Sequence, residues 1–123
     1  VCNEKLKYPA TVKKTAVHSA TEYIKDNFIY DITLKDIANA AHLSPMYLRE
    51  LFVKEMKMSP HEYIIKKRIG KARELLALNV QTISEVATLS GFSSQSYFDY
   101  IFKKRTGMTP KQFKAKNNEL YFK

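Results

Sequence analysis

Little in this chain can be cross-linked or put to redox use. Cys2 is the only cysteine in 123 residues, so the sequence holds no internal disulfide and no cysteine-based metal knuckle. That composition suits a reducing cytoplasm, the compartment expected for it. His18, His42 and His61 have no metal-ligand spacing with one another or with Cys2, so no metal site is expected. The apolar runs are far too short to span a bilayer, so no membrane partner is expected. The N-terminus also lacks the charged start and long apolar core of a secretory signal. There is no phosphate-binding glycine loop. Ser93, Ser94 and Ser96 have no nucleophile-elbow setting and no patterned His–Asp partner, so neither an enzyme nor a bound cofactor is expected. Strand-period segments are missing too. FIYDITL comes nearest, but Asp31 and the capping Thr33 read as a loop.

Acidic residues are scarce relative to basic ones, 12 against 21, giving a formal net charge of +9. An excess of this size favours an anionic partner, nucleic acid first and an anionic membrane surface second, over a merely soluble basic protein. The length fits one domain or two very small subdomains sharing a helix. Residues 1–10 have no clear period and contain Pro9. With a start at Val1, they read as a linker or lead-in, and the chain as part of a longer protein.

One pattern is written twice. The first copy runs LKDIANAAHLSPMYLRELFVKEMKMSPHEY from Leu34, and the second ISEVATLSGFSSQSYFDYIFKKRTGMTPKQF from Ile83. Leu34 pairs with Ile83, Ile37 with Val86, Ala38 with Ala87 and Ser44 with Ser93. Copy two then carries one extra residue, after which Tyr47 pairs with Tyr97, Phe52 with Phe102, Lys54 with Lys104, Met58 with Met108 and Pro60 with Pro110.

The three glycines and four prolines sit mostly where helices begin or end, and apolar spacing predicts an all-α chain of seven helices. Helix 1 is expected over Thr11 to Phe28, with Val12, Ala16, Ala20, Tyr23, Ile24 and Phe28 at helical spacing. Thr33 caps helix 2, and Ser44 caps helix 3, whose first position is Pro45. Ser59 with Glu62 and Thr82 with Glu85 form capping boxes that open helices 4 and 5, and Thr109 and Gln112 open helix 7. His42 and Gly91 read as the left-handed residues of the two turns. Helix 3 should bury Leu48, Leu51 and Phe52, and helix 6, from about Ser94, should bury Phe98, Ile101 and Phe102. Helix 4 carries Ile64, Ile65, Ile69, Ala72, Leu75 and Leu76 and joins the two bundles. The tail, residues 118–123, is expected to be flexible. The boundaries are a first helix-turn-helix at about 35–56, a linking helix at about 60–78 and a second helix-turn-helix at about 83–106, within a domain at 11–117.

A helix-turn-helix packs a short first helix, through small residues such as Ala38 and Ala87, under a second helix. The outer face of that second helix is left free for the major groove. The outward positions expected to meet bases are Met46, Tyr47, Arg49 and Glu50 in copy one, and Ser94, Gln95, Ser96, Asp99 and Tyr100 in copy two. Arg49 suits guanine, Gln95 suits adenine, Glu50 or Asp99 can accept from cytosine, and Met46 or Tyr100 can touch a thymine methyl. Ser44 and Ser93, taken to lie at helix N-termini, and Lys54, Lys66, Lys67, Lys103, Lys104 and Arg105 are the expected phosphate contacts. Two blander readings stand beside these. Tyr47 and Tyr97 can simply pack on the preceding helix, and Glu50 can pair with Lys54 along helix 3.

The chain resembles the AraC/XylS transcription regulators over residues 18–116. In copy two the resemblance rests on Ile83, Glu85-Val86-Ala87, Gly91-Phe92, Tyr97-Phe98, Phe102-Lys103-Lys104, Gly107 and Thr109-Pro110. In copy one and the linking helix it rests on Leu34, Asp36-Ile37-Ala38, Leu43-Ser44, Leu48, Phe52, Arg68, Ala72 and Leu75-Leu76. It implies a homeodomain-like fold with two helix-turn-helix subdomains on a long central helix, and recognition helices about one DNA turn (~34 Å) apart. It also implies sequence-specific promoter binding to double-stranded DNA, activation through RNA polymerase, and an effector or signalling domain outside this chain. By position, the family's base-reading residues fall on Met46, Arg49, Glu50, Gln95, Ser96, Asp99 and Tyr100. Lys57 stands where copy two has Gly107, which implies a looser exit from helix 3, and Lys114 replaces an arginine common near the family's C-terminal end. The alternative from another class is a helical protein-interaction module.

Overall fold

The computed structural model describes residues 10–122, with side chains from 11 to 117. Apart from Ala10, the expected lead-in therefore lies outside the described residues. Among the described residues there are seven helices and no strand. They are α1 (Ala10–Asn27), α2 (Leu34–Ala41), α3 (Pro45–Met56), α4 (Pro60–Leu78), α5 (Ile83–Leu89), α6 (Gln95–Thr106) and α7 (Pro110–Phe122). None of them is long and apolar enough to cross a membrane. Two compact units divide the chain within α4, residues 1–65 and 66–123.

Short-range hydrogen bonds set most helix starts. Thr33 accepts from the Asp36 N–H at 3.1 Å while its own N–H donates to Asp36 at 2.9 Å. Ser59 and Glu62 make the same reciprocal pair at the start of α4. In the second unit, Thr82 and Glu85 do so for α5, and Thr109 and Gln112 for α7. Each box satisfies two amides that the helix cannot satisfy itself.

In the first unit α1 packs on α2 and α3. The core is Ala16, Val17, Ala20 and Ile24 of α1, Ile37, Ala38 and Ala41 of α2, and Leu48, Leu51 and Phe52 of α3, closed by Tyr63 and Ile64. Phe52 and Tyr63 meet edge to face with centroids 5.6 Å apart. The inward face of α1 is turned slightly from the expected one. Val12 is 41% exposed and Val17 is buried in its place, because the packed face is fixed by α2 and α3 rather than by spacing within α1.

The second unit has an aromatic core. Phe92 and Phe98 lie 5.0 Å apart, Phe98 and Phe102 5.5 Å, and Phe102 and Phe113 5.4 Å. Ile69, Ala72, Leu76, Val86, Ala87 and Ile101 are buried in the same unit. Lys114 of α7 donates to the Gln81 carbonyl at 3.0 Å, so it holds the loop before α5. Helical backbone runs on to Phe122, and this final helix contains no glycine or proline after Pro110 to end it.

Helices α3 and α6 end alike. Lys57 (φ 61°) and Gly107 (φ 87°) both take the left-handed cap, donating to Val53 O at 2.9 Å and Lys103 O at 2.8 Å. The looser exit expected at Lys57 is absent. Lysine adopts the cap geometry at a backbone cost of roughly 1–2 kcal/mol that glycine avoids. From Leu51 to Pro60 and from Ile101 to Pro110, burial follows the same order residue by residue.

Candidate nucleic-acid interface

Each turn is built around a left-handed residue, His42 (φ 57°) in the first unit and Gly91 (φ 96°) in the second. The N–H of the next residue, Leu43 or Phe92, returns to Ala38 or Ala87, at 3.0 Å in both units. The extra residue of copy two then takes up its place. Ser44 caps α3 by accepting from the Tyr47 N–H, and Ser94, not Ser93, does the same for α6 from Tyr97. Ser93 is the inserted residue, so the pairing of Ser44 with Ser93 at a helix N-terminus is corrected. A cap is defined by its hydrogen bond three residues ahead, and only Ser94 makes it.

Most of the expected contact residues lie at the surface of their unit. On α3 these are Met46, 77% exposed, with Arg49 and Glu50, and Lys54 lies a turn beyond Glu50. Arg49 borders a hollow of about 400 Å³ floored by Leu34, Ile37, Pro60 and Ile64. Glu50 and Lys54 border a smaller one of about 120 Å³ with Lys13 of α1. Lys13 is a cation that sequence reasoning missed, because nothing in the period of α1 links it to α3. Tyr47 also lines that hollow but is only 5% exposed. Its ring belongs to the packing of the first unit, so Tyr47 is corrected from an outward position to a buried one.

On α6, Gln95, Ser96 and Tyr100 are exposed and Asp99 is half-buried. Ser94 is exposed, but its hydroxyl is occupied as the cap. The Lys104 ammonium lies over the Tyr100 ring, 5.8 Å from its centroid, so one face of that ring is already engaged. Lys103, Lys104 and Arg105 sit in the last turn of α6 and Lys54 in that of α3, where cations also complement the helix dipole. Lys66 is exposed and Lys67 half-buried on α4. Lys114, spent on Gln81, is not presented as a free cation.

Tyr97, read with Tyr47 as able to pack on the preceding helix, lies at the surface instead. It is 37% exposed at the position where copy one buries Tyr47. The available signal was the extra residue together with Phe92 in place of Leu43. Electrostatics around the boxes is local. The Thr33 and Thr82 backbone N–H groups first, then their hydroxyls, hold the Asp36 and Glu85 carboxyls below their ordinary range, and Lys114 adds to this at Glu85.

Two capped helix-turn-helix units of this kind define a helix-turn-helix DNA-binding domain of the transcription-regulator class. A family model described as "Helix-turn-helix domain" matches residues 37–116, and the chain belongs to that family, in its AraC/XylS branch. It is 35% identical over 103 residues to the bifunctional transcriptional activator/DNA repair enzyme AdaA of Bacillus subtilis, covering 82% of this chain and 49% of that protein. It is 34% identical over 91 residues to the probable transcriptional regulator LumQ of Photobacterium leiognathi, covering 74% and 37%. Among solved structures, the C-terminal domain of AraT, a response regulator from Geobacillus stearothermophilus, superposes with a TM-score of 0.78 at 34% identity, covering 82% of this chain and 84% of that one. The chain spans about a third to a half of the length of such curated relatives.

Proposed function

We propose that the chain reads a non-palindromic promoter site in double-stranded DNA, placing α3 and α6 in major-groove segments. One observation carries this reading. The two units repeat the same capped frame, with the same burial order from Leu51 to Pro60 and from Ile101 to Pro110, yet present different side chains at corresponding positions of α3 and α6. Arg49 and Glu50 of α3 correspond to Asp99 and Tyr100 of α6, so each helix suits a different base sequence. Met46, Gln95 and Ser96 complete the base-reading set. Ser44, Lys54, Lys66, Lys67, Lys103, Lys104 and Arg105 supply phosphate contacts. The protein works in the cytoplasm, joined to an effector or signalling domain, and activates through contact with RNA polymerase. It performs no catalysis through this domain.

Selection of bound duplexes from a random library, followed by a salt titration on the winning site, tests this. Binding should weaken steeply, with a log–log slope near −0.9 per neutralised phosphate. Arg49→Ala should relax preference at one base pair at a cost of roughly 1–3 kcal/mol, and Lys66→Ala should weaken all sequences alike. A palindromic site would overturn the reading by two different helices, and an unchanged preference in Arg49→Ala would show that α3 does not read bases through that residue. Salt-indifferent binding would instead favour a helical protein-interaction module.

A further inference from the structure

The two copies differ most at the first turn of their recognition helices. Tyr47 and Tyr97 hold the same position, the third residue after the capping serine, and each gives its backbone N–H to that serine, at 3.3 and 3.1 Å. Local structure is therefore the same, and the side chains should share a fate. They do not: Tyr47 is 5% exposed and Tyr97 37%.

The turns before the two helices also differ. Where copy one has the half-buried Leu43, copy two has Phe92, and Ser93 is inserted before the cap. Phe92 is itself buried, with its ring centroid 5.0 Å from Phe98 and 6.1 Å from Tyr97. The larger ring fills space beside the start of α6, and Tyr97 leans on it from outside. Phe92 thus borders one side of the Tyr97 ring, part of which stays in solvent. A ring with such a neighbour on one side has less rotamer freedom to lose on binding than one in open solvent. Its neighbours Ser93, Ser94, Gln95 and Ser96 are exposed and uncharged, so no acidic group in that stretch repels an anion.

We propose that Tyr97 is a DNA contact of the second unit, its phenolic O–H donating to a backbone phosphate oxygen beside the segment that α6 reads. Copy one has no counterpart, because Tyr47 is committed to the core. The proposal rests on the DNA reading above and adds to it a residue outside the set of outward positions. Tyrosine hydroxyls are ordinary donors to phosphate in protein–DNA interfaces. The contact holds the second unit in register without reading a base.

The test is Tyr97→Phe, which keeps the ring against Phe92 and removes only the donor. On the selected duplex and on random duplex alike, affinity should fall about ten- to 150-fold, the range for one hydrogen bond to a charged group. The salt slope should stay unchanged, because a neutral donor releases no counterion, whereas Lys104→Ala should reduce the slope by about 0.9. Tyr47→Phe should leave affinity as it is. A duplex with one methylphosphonate at the contacted phosphate should weaken wild-type binding and leave Tyr97→Phe indifferent. A loss below threefold in a variant with the wild-type circular dichroism spectrum and Tm overturns the proposal. So does a loss confined to one base pair, which would make Tyr97 a base reader. If wild-type binding itself does not weaken with salt, the DNA reading fails, and Tyr97 fails only with it.

Discussion

The same substitution at two glycines of the second unit should have opposite signs. Gly70 lies inside α4 and Gly107 ends α6 at φ 87°. At both positions an added Cβ meets nothing within 4 Å, so neither clash nor packing contributes and backbone preference alone decides. At Gly70 a helical conformation is already in place. Alanine is better there by roughly 0.8–1 kcal/mol, through helix propensity and a less free unfolded chain. At Gly107 a Cβ in the left-handed region costs roughly 1–2 kcal/mol. The restricted unfolded chain returns about 0.4–1 kcal/mol of that, leaving a net loss near ~1 kcal/mol. Urea unfolding followed by far-ultraviolet circular dichroism reads both variants. With a slope of about 1–3 kcal/mol per molar, the midpoints should move roughly 0.3–1 M in opposite directions from wild type. Shifts of the same sign, or a Gly107→Ala variant as stable as wild type, would refute the claim that conformation alone separates the two sites.

Two further outcomes concern polar groups. Ser90 is fully buried with no hydrogen-bond partner for its Oγ, and copy one has Ala41 at the same position. Ser90→Ala should therefore stabilise by about 1 kcal/mol through loss of an unsatisfied hydroxyl, and a destabilised variant in thermal melts would show that the hydroxyl is bonded after all. Asp36 and Glu85 have lowered pKa values in the folded chain. Their boxes should contribute stability that is fully present above the ordinary carboxylate values of 3.8 and 4.5 and is lost as pH falls through the lower folded values. The Thr109–Gln112 box makes the same two bonds without a charge and should be indifferent to pH. Glu85→Gln should thus flatten part of the acid sensitivity, and an unchanged stability–pH profile would count against the linkage.

Much of this molecule is written at a range of three or four residues. The four boxes, the left-handed His42 and Gly91, and the anchors Leu48, Phe52, Phe98 and Phe102 were all legible before any coordinates, because a cap or a left-handed turn is satisfied by its immediate neighbours. The repeat likewise announced two equivalent helix-turn-helix frames. The candidate interface was less legible. Ser93 and Ser94 are adjacent identical residues, and only the bond to the Tyr97 N–H tells which one caps α6. Lys114 and Gln81 are far apart in sequence, so their bond could not be read from local pattern.

The sequence by itself thus determined the helices, their ends and the family, since those depend on short-range hydrogen bonding and on periodic apolar spacing. The tertiary structure decided which equivalent side chains face solvent. Val17 replaces Val12 in the core, Lys13 joins Glu50 and Lys54, and Tyr47 is buried while Tyr97 is exposed. Burial is settled by whatever packs opposite, and in the second unit the buried Phe92 lies between Tyr97 and Phe98, 6.1 Å from one ring and 5.0 Å from the other.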